Sequence, residues 1–369
     1  MSIELPEGWS LGPLLNFFEL KRGHDLPVQN REPGAIPVVA SNGIVGWHAS
    51  SPLVGPGVVT GRSGTIGKVN YISGPYWPLN TTLYVRDFKK SVPEYVYRFL
   101  EHFPLTDFQS GTGVPTLNRN DLHPIEVAFP PPEEQLRIVE VLRSGDDAIA
   151  ATANVLQGLE RVSSEITKRA FVDPDSVEVG GEVSTFEDLF DIKGGSQPPK
   201  SSFIYKPKEG YARLLQIRDF ETDDKAVFIS EGASKVRCEV GDILIARYGA
   251  SVGRILTGKA GAYNVALTKV VFRSNRIFRR FAYHWLKSEY FQNRIKAVSN
   301  RSAQAGFNKE DLFPTKVSLP PMEVQVSIAK ALDDLENAIS INRAFLQDAE
   351  ATKSALLTDL ITGRVRVPA

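Results

Sequence analysis

Apolar residues recur every seven positions in two long stretches of the chain. Leu142, Ile149 and Leu156 form one stripe, with Leu159 and Ile166 beside it; Leu332, Ile339 and Leu346 form another, flanked by Leu335, Ala349 and Leu356. A stripe at this spacing predicts an amphipathic helix with a packing seam. The start signals agree. Pro130-Pro131 and Pro320-Pro321 precede acidic first turns at Glu133-Glu134 and at Glu323, where unpaired N–H groups favour negative charge. The first helix is predicted from Glu133 to near Phe171, about 58 Å at ~1.5 Å per residue. The second is predicted to stop at Gly363. A stripe of that length must be buried, and each helix is the one matching partner of the other, so an antiparallel pair is expected. Packing of each stripe on its own preceding domain is the alternative.

The segments ahead of the helices differ in texture. They mix Val, Ile, Tyr and Phe with frequent turn signals such as Ser41-Asn42-Gly43, Gly55-Pro56-Gly57 and Ser73-Gly74-Pro75, which predicts short strands with some helix. The expected class is α+β, with segments 1–130, 131–172, 173–320 and 321–369. An acidic linker, Val172 to Thr185, separates the halves.

The two halves are copies. Leu117–Leu142 and Phe307–Leu332 align without gaps at offset 190 with 11 identities in 26 positions. Fainter matches precede them: Phe18–Gly23 with Phe190–Gly195 at offset 172, Gly61–Val69 with Ala246–Ile255 near 185, and Tyr97, Phe99 and Leu100 with Tyr283, Trp285 and Leu286 at 186. The growing offset places about 18 extra residues in the second variable segment, by the difference of 190 and 172. A repeated frame around dissimilar inserts predicts two related readers of a two-part target.

Composition narrows the class. The 369 residues are long enough for two or three cored domains. The single cysteine, Cys238, excludes an intramolecular disulfide and a thiolate zinc cluster. No secretory leader or membrane-length apolar run is evident, so a cytoplasmic location and no membrane partner are expected. The zero net charge hides an uneven distribution: residues 180–301 hold 21 basic and 13 acidic side chains, and residues 126–179 hold 5 and 11. A basic excess of this kind is the footprint of a polyanion-binding face.

The motif with the clearest chemistry occurs twice. Arg62, Gly64, Gly67 and Lys68, and again Arg247, Gly249, Gly253 and Arg254, follow apolar runs. Glycine lets backbone approach a phosphate, and flanking cations neutralise it or reach a base edge. The candidate DNA-binding residues are therefore Arg62, Ser63, Thr65, Lys68, Asn118, Arg119, Arg247, Tyr248, Ser251, Arg254, Arg301 and Gln304; a solvated tight hairpin is the competing reading. Lys68 is followed by Val69, so the loop is not a Walker A motif. The five histidines are scattered and no nucleophile elbow occurs. No catalytic residue and no metal ligand set is assigned.

These features resemble the DNA-specificity subunits of type I restriction-modification systems. The resemblance spans the chain and rests on the alternation of variable domain and helix, on the helix starts Phe129-Pro130-Pro131-Pro132-Glu133-Glu134-Gln135 and Leu319-Pro320-Pro321-Met322-Glu323-Val324-Gln325, and on the basic glycine loops. Phe129 and Val324 depart from the family's Leu and Glu. The resemblance implies two pseudo-symmetric target-recognition domains, each reading half of an asymmetric bipartite site in double-stranded DNA, separated by an antiparallel coiled coil that sets the gap. It implies a non-catalytic chain without a cofactor of its own. Two methyltransferase subunits bringing S-adenosylmethionine, and restriction subunits using ATP and Mg, are the implied partners. The alternatives are the recognition subunit of a type IIB-like methylation system, or a single-chain DNA-modifying enzyme.

Overall fold

The computed structural model describes residues 5–111, 113–175, 181–299 and 306–367. The chain forms two compact units, Met1–Asn154 with Ala344–Ala369, and Val155–Arg343. Each unit thus contains the start of one long helix and the end of the other.

In the first unit an antiparallel sheet has the order Glu19–Arg22, Thr82–Asp87, Gly57–Gly61, Val69–Ile72. The Gly57–Gly61 strand is buried along its whole length, which its unbroken Val58-Val59-Thr60 run anticipates. A smaller sheet joins Gly43–His48, Ile36–Ala40 and Trp77–Pro78, the last pair being parallel. Ser10–Pro13 pairs with Glu126–Phe129, the strand that leads through Pro130-Pro131 into the long helix. Phe129 stacks on Phe17 with centroids 4.4 Å apart and meets Phe99 at 4.8 Å and Tyr95 at 5.3 Å. An aromatic ring suits that position as well as leucine would.

The second unit repeats this plan. Its sheet has the order Phe190–Gly194, Leu267–Phe272, Leu244–Ala246, Ile255–Leu256, again antiparallel throughout. Its smaller sheet has four strands, Phe228–Ser230, Tyr211–Leu215, Gly261–Tyr263 and Arg237–Cys238, again with one parallel pair. Much of the added length between the copies goes into the longer connections of this sheet and its extra strand. Cys238 sits there, buried, with burial pushing its thiol pKa up.

The long helices span Pro132–Ala170 and Met322–Ile361, and Gly363 follows the second in the left-handed region at φ 71°, a helix stop open to glycine at little cost. Within the first unit, Glu134 meets Arg366 and Asp146 meets Lys353; as one helix advances its partner retreats, so the two run antiparallel. In the second unit Arg343 meets Glu160 while Phe171 joins the core with Leu332 and Ala329. The helix ends are cored in corresponding ways: Leu360 and Ile361 in the first unit, Ala170 and Phe171 in the second. Of the seam residues, Leu142 and Leu332 are fully buried, whereas Ile149, Leu156, Ile339 and Leu346 are half-buried. A two-helix seam covers a side chain from one side only, so these middle positions stabilise less than core positions.

The repeated helix start is a clamp. Gln135 accepts a hydrogen bond from the Val92 N–H at 2.7 Å and donates to the Pro130 carbonyl at 2.9 Å. Gln325 accepts from the Phe278 N–H at 2.9 Å and donates to the carbonyls of Arg276 and Pro320 at 2.9 and 3.0 Å. Val92 and Phe278 are the N-caps of the short helices Pro93–His102 and Arg279–Lys287. Each glutamine therefore ties its unit's short helix to the first turn of the long one.

Charge pairs reinforce the same contact, with their signs exchanged. Glu94 of the short helix meets Arg143 of the long one; at the equivalent positions, offset by 186 and 190, Arg280 meets Asp333. Buried Arg98 holds Asp146, and its counterpart, buried His284, lies beside Glu336 at 4.0 Å. In the first unit Glu134, only 1% exposed, is also held by the Trp9 indole at 3.1 Å and by both arms of Arg366 at 2.6 and 2.7 Å. Val324 replaces that carboxylate in the second copy and is exposed.

Gln135→Ala strands a Val92 N–H and a Pro130 carbonyl in a dry site, so it should cost about 2 kcal/mol or more in denaturant unfolding, at ~1–3 kcal/mol per orphaned group. Gln325→Ala should cost a similar amount. A change under about 0.5 kcal/mol, the range of an ordinary surface substitution, would contradict the clamp.

Candidate nucleic-acid interface

Each glycine loop is a turn between two strands of the main sheet, residues 62–68 in the first unit and 247–254 in the second. Gly64 and Gly67 have φ of 93° and 90°, Gly249 and Gly253 of 77° and 88°. All four lie in the left-handed region, where a side chain clashes with the following carbonyl. The backbone itself demands these glycines. Both loops are moored alike: Ser63 bridges to Thr116 and Tyr248 to Gly306, at equivalent positions. Gly64 N–H also donates to the Pro115 carbonyl at 3.0 Å.

The basic residues divide into two kinds. Arg62 donates through Nε to the Asn80 carbonyl at 2.8 Å. Arg247 donates through Nε to the Phe307 carbonyl at 2.9 Å and through Nη2 to Asn308 Oδ1 at 2.6 Å, with its guanidinium over the Tyr248 ring. These two arginines brace the loops from within. Lys68 and Arg254 sit at the far ends of the loops: Lys68 Nζ donates to the Asn42 carbonyl at 2.6 Å, and Arg254 Nη1 to Glu221 at 2.6 Å. They are better placed to exchange these partners for phosphate. Thr65 and Tyr248 are exposed, while Ser63 and Ser251 are half-buried.

Asn118 caps the short helix Arg119–Leu122, accepting from the Asn120 N–H at 3.0 Å, so its oxygen is already engaged. Arg119 opens that helix and is half-buried. Arg301 and Gln304 lie outside the described residues. The basic excess of residues 180–301 is partly neutralised by acids, since Arg213, Lys259, Lys269, Arg273, Arg276 and Arg280 all sit in ion pairs. Arg280 lies over the Tyr283 ring and pairs with Asp333 of the long helix. Asn42, Asn80, Glu221 and Asn308 were not assigned from sequence; the first and third lie 26 and 33 positions from their cations, a separation that carries no local pattern.

His284, Asp333 and Glu336 place ligand-type atoms within 4.8 Å of one another. Their carboxylates are already neutralised by Arg280 and Lys287, so the cluster is a salt-bridge network. Burial holds the His284 pKa below its ordinary value, against the pull of Asp333. Burial does the same to His123, whose Nε2 accepts from the Leu20 N–H at 3.1 Å and must be unprotonated to do so.

The family model described as "Type I restriction modification DNA specificity domain" matches residues 6–161 and 178–351. The chain is similar to the putative type I restriction enzyme MjaX specificity subunit of Methanocaldococcus jannaschii, with 25% identity over 346 residues, 82% of this chain and 76% of that protein. It is also similar to the MjaVIII specificity subunit of the same organism, with 23% identity over 320 residues, 78% of this chain and 74% of that protein. Among solved structures, the type I restriction-modification S subunit of M. genitalium superposes with a TM-score of 0.66 at 16% identity, covering 98% of each chain. The HsdS subunit of Thermoanaerobacter tengcongensis gives 0.51 at 18% identity, covering 99% of each. A structure described under complex assembly and conformational transition of the type I R-M system gives 0.58 at 16% identity, covering 98% of this chain and 100% of that one. No helix among the described residues is long and apolar enough to cross a membrane.

Two measurements check this geometry. Lys68→Ala and Arg254→Ala should each reduce the salt dependence of DNA binding by about one unit of slope while leaving stability near the parent's. Arg62→Ala and Arg247→Ala should lower stability as well as affinity; a stability unchanged from the parent's would remove the bracing role. Because the folded pKa values of His123 and His284 are depressed, their contribution to stability is complete above the unfolded value of about 6.5 and is lost as pH falls below it. Unfolding midpoints should be level between pH 7 and 8 and decline below ~6.5; a rise on acidification would contradict the assignment.

Proposed function

Because this chain belongs to the type I restriction modification DNA specificity family, we infer that it is the subunit that selects the DNA sequence in a type I restriction-modification complex. Each unit reads one half of a bipartite asymmetric site, and the long helices set the gap between the halves. The observation that carries this reading is the duplication of a basic, glycine-bracketed loop on one sheet frame, with the same mooring bridges and different surroundings. Each long helix, about 58 Å at ~1.5 Å per residue, exceeds the roughly 34 Å of one DNA turn, which leaves length for docking.

We further propose that catalysis resides in partner subunits. Two methyltransferase subunits would bring S-adenosylmethionine, and restriction subunits would bring ATP-driven chemistry with Mg. The acidic bias of residues 126–179 supports a protein-facing role for that segment, since it repels DNA. An apolar groove of about 320 Å³ between the helices of the first unit, lined by Val141, Ala148, Phe345, Ala349 and Leu356, supports docking there. Phe345 is 54% exposed, a large apolar surface left open to a partner.

Exchange of residues 173–306 for those of a relative should change one half-site in the methylated motif and leave the other as it was. Alteration of both halves, or of neither, would refute the modular reading. The reconstituted complex should contain two methyltransferase subunits for each copy of this chain; a one-to-one assembly at saturation, or methyl transfer by this chain alone, would refute the partner scheme.

A further inference from the structure

The smaller sheet of each unit ends in a hairpin tip that reaches the glycine loop. In the first unit the tip Ser41-Asn42-Gly43 joins Ile36–Ala40 to Gly43–His48. Lys68 holds the Asn42 carbonyl at 2.6 Å, and a Cβ placed on Gly64 would stand 3.3 Å from Ser41 Oγ. In the second unit the corresponding connection, residues 216–227 between Tyr211–Leu215 and Phe228–Ser230, meets the corresponding cation, since Arg254 donates to Glu221. The same contact is thus built twice from different residues.

Both tips are tethered to the glycine loops, and they differ in what they present. Asn42 is exposed, and its side-chain amide makes no hydrogen bond to the described residues. The turn does not require asparagine, because among the described non-glycine residues Lys89 alone has a positive φ. In the second unit buried Asp219 accepts from the Gln216 N–H at 2.6 Å, and Asp223 pairs with Arg213 at 2.6 Å and with Lys259. These bonds pin a long tip whose Arg218, Thr222 and Lys225 point to solvent. A cation that engages phosphate, on a loop tethered to an exposed amide or guanidinium, leaves that second group available to a base edge.

Resting on the assignment of both units to DNA reading, we propose that these hairpin tips are specificity-determining elements: Asn42 in the first unit, and Arg218, Thr222 and Lys225 in the second, read base edges, while Lys68 and Arg254 register them on the backbone. The difference between a tight turn and a long pinned excursion then contributes to the asymmetry of the two half-sites.

Methylated-base sequencing of a host carrying the chain with its methyltransferase partner tests this. Asn42→Ala, which leaves the carbonyl contact to Lys68 in place, should relax one specified position of one half-site, raising methylation at sites mismatched there about tenfold or more, as a lost base contact predicts. Asn42→Asp, which removes the donor, should shift preference at the same position. Arg218→Ala and Lys225→Ala should act on the other half-site alone, and the exposed Lys90→Ala should leave the parent motif intact. A parent motif in all the tip variants would overturn the proposal, as would uniform loss of methylation in both Asn42 variants, since a structural turn affects every position alike. If exchange of residues 173–306 still altered one half-site, the assignment of the units would survive that failure.

Discussion

A buried primary amide has one acceptor and two donor hydrogens to satisfy, and leaving any of them dry is costly. Gln325, 1% exposed, uses its acceptor and both donors, and Gln135, 3% exposed, its acceptor and one donor, each joining three pieces of chain: the end of a strand, the cap of a short helix and the first turn of a long helix. The position of each reading unit on its long helix depends on that junction. Loops elsewhere in the unit are free to differ because none of them takes part in it. This explains how a chain can vary its readers while keeping its frame.

The exchanged ion pairs act on selectivity more than on strength. Partly exposed pairs such as Glu94 with Arg143 and Arg280 with Asp333 contribute little each, about 0–1 kcal/mol. Opposed like charges are unfavourable, however, and docking the first short helix on the second long helix would set Glu94 against Asp333. The two copies share their apolar contacts and their glutamine clamp, so charge is what tells them apart. The buried Glu134 carboxylate is a different case. Arg366 and Trp9 satisfy it from the two ends of the chain, and removal of either would leave a charge with too few partners.

Much of the architecture was legible in the sequence. The long helices begin and end within a residue or two of the positions that Pro130-Pro131, Pro320-Pro321 and Gly363 indicate, since helix termini carry local chemistry. The glycine loops were legible because Gly64, Gly67, Gly249 and Gly253 mark left-handed backbone. The roles of the arginines were not. Arg62 and Arg247 look alike in sequence to Lys68 and Arg254, yet the first pair is bound to carbonyls supplied by distant segments. Gln135 and Gln325 stood within a recognised helix start, but their partners lie 43 and 47 residues away, at Val92 and Phe278. Seam depth also escaped the periodicity, which reports which face is apolar and is silent on how much covers it; Ile149 and Ile339 are only half-covered.

The central claim is that one chain carries two readers of unlike DNA on one repeated frame. Methylated-base sequencing of a host with and without this chain, its methyltransferase present in both, tests that claim most directly. The account predicts a motif of two different specified half-sites separated by an unspecified gap of constant length, present with the chain and lost without it. A continuous or palindromic motif, or one that persists when the chain is removed, would contradict it.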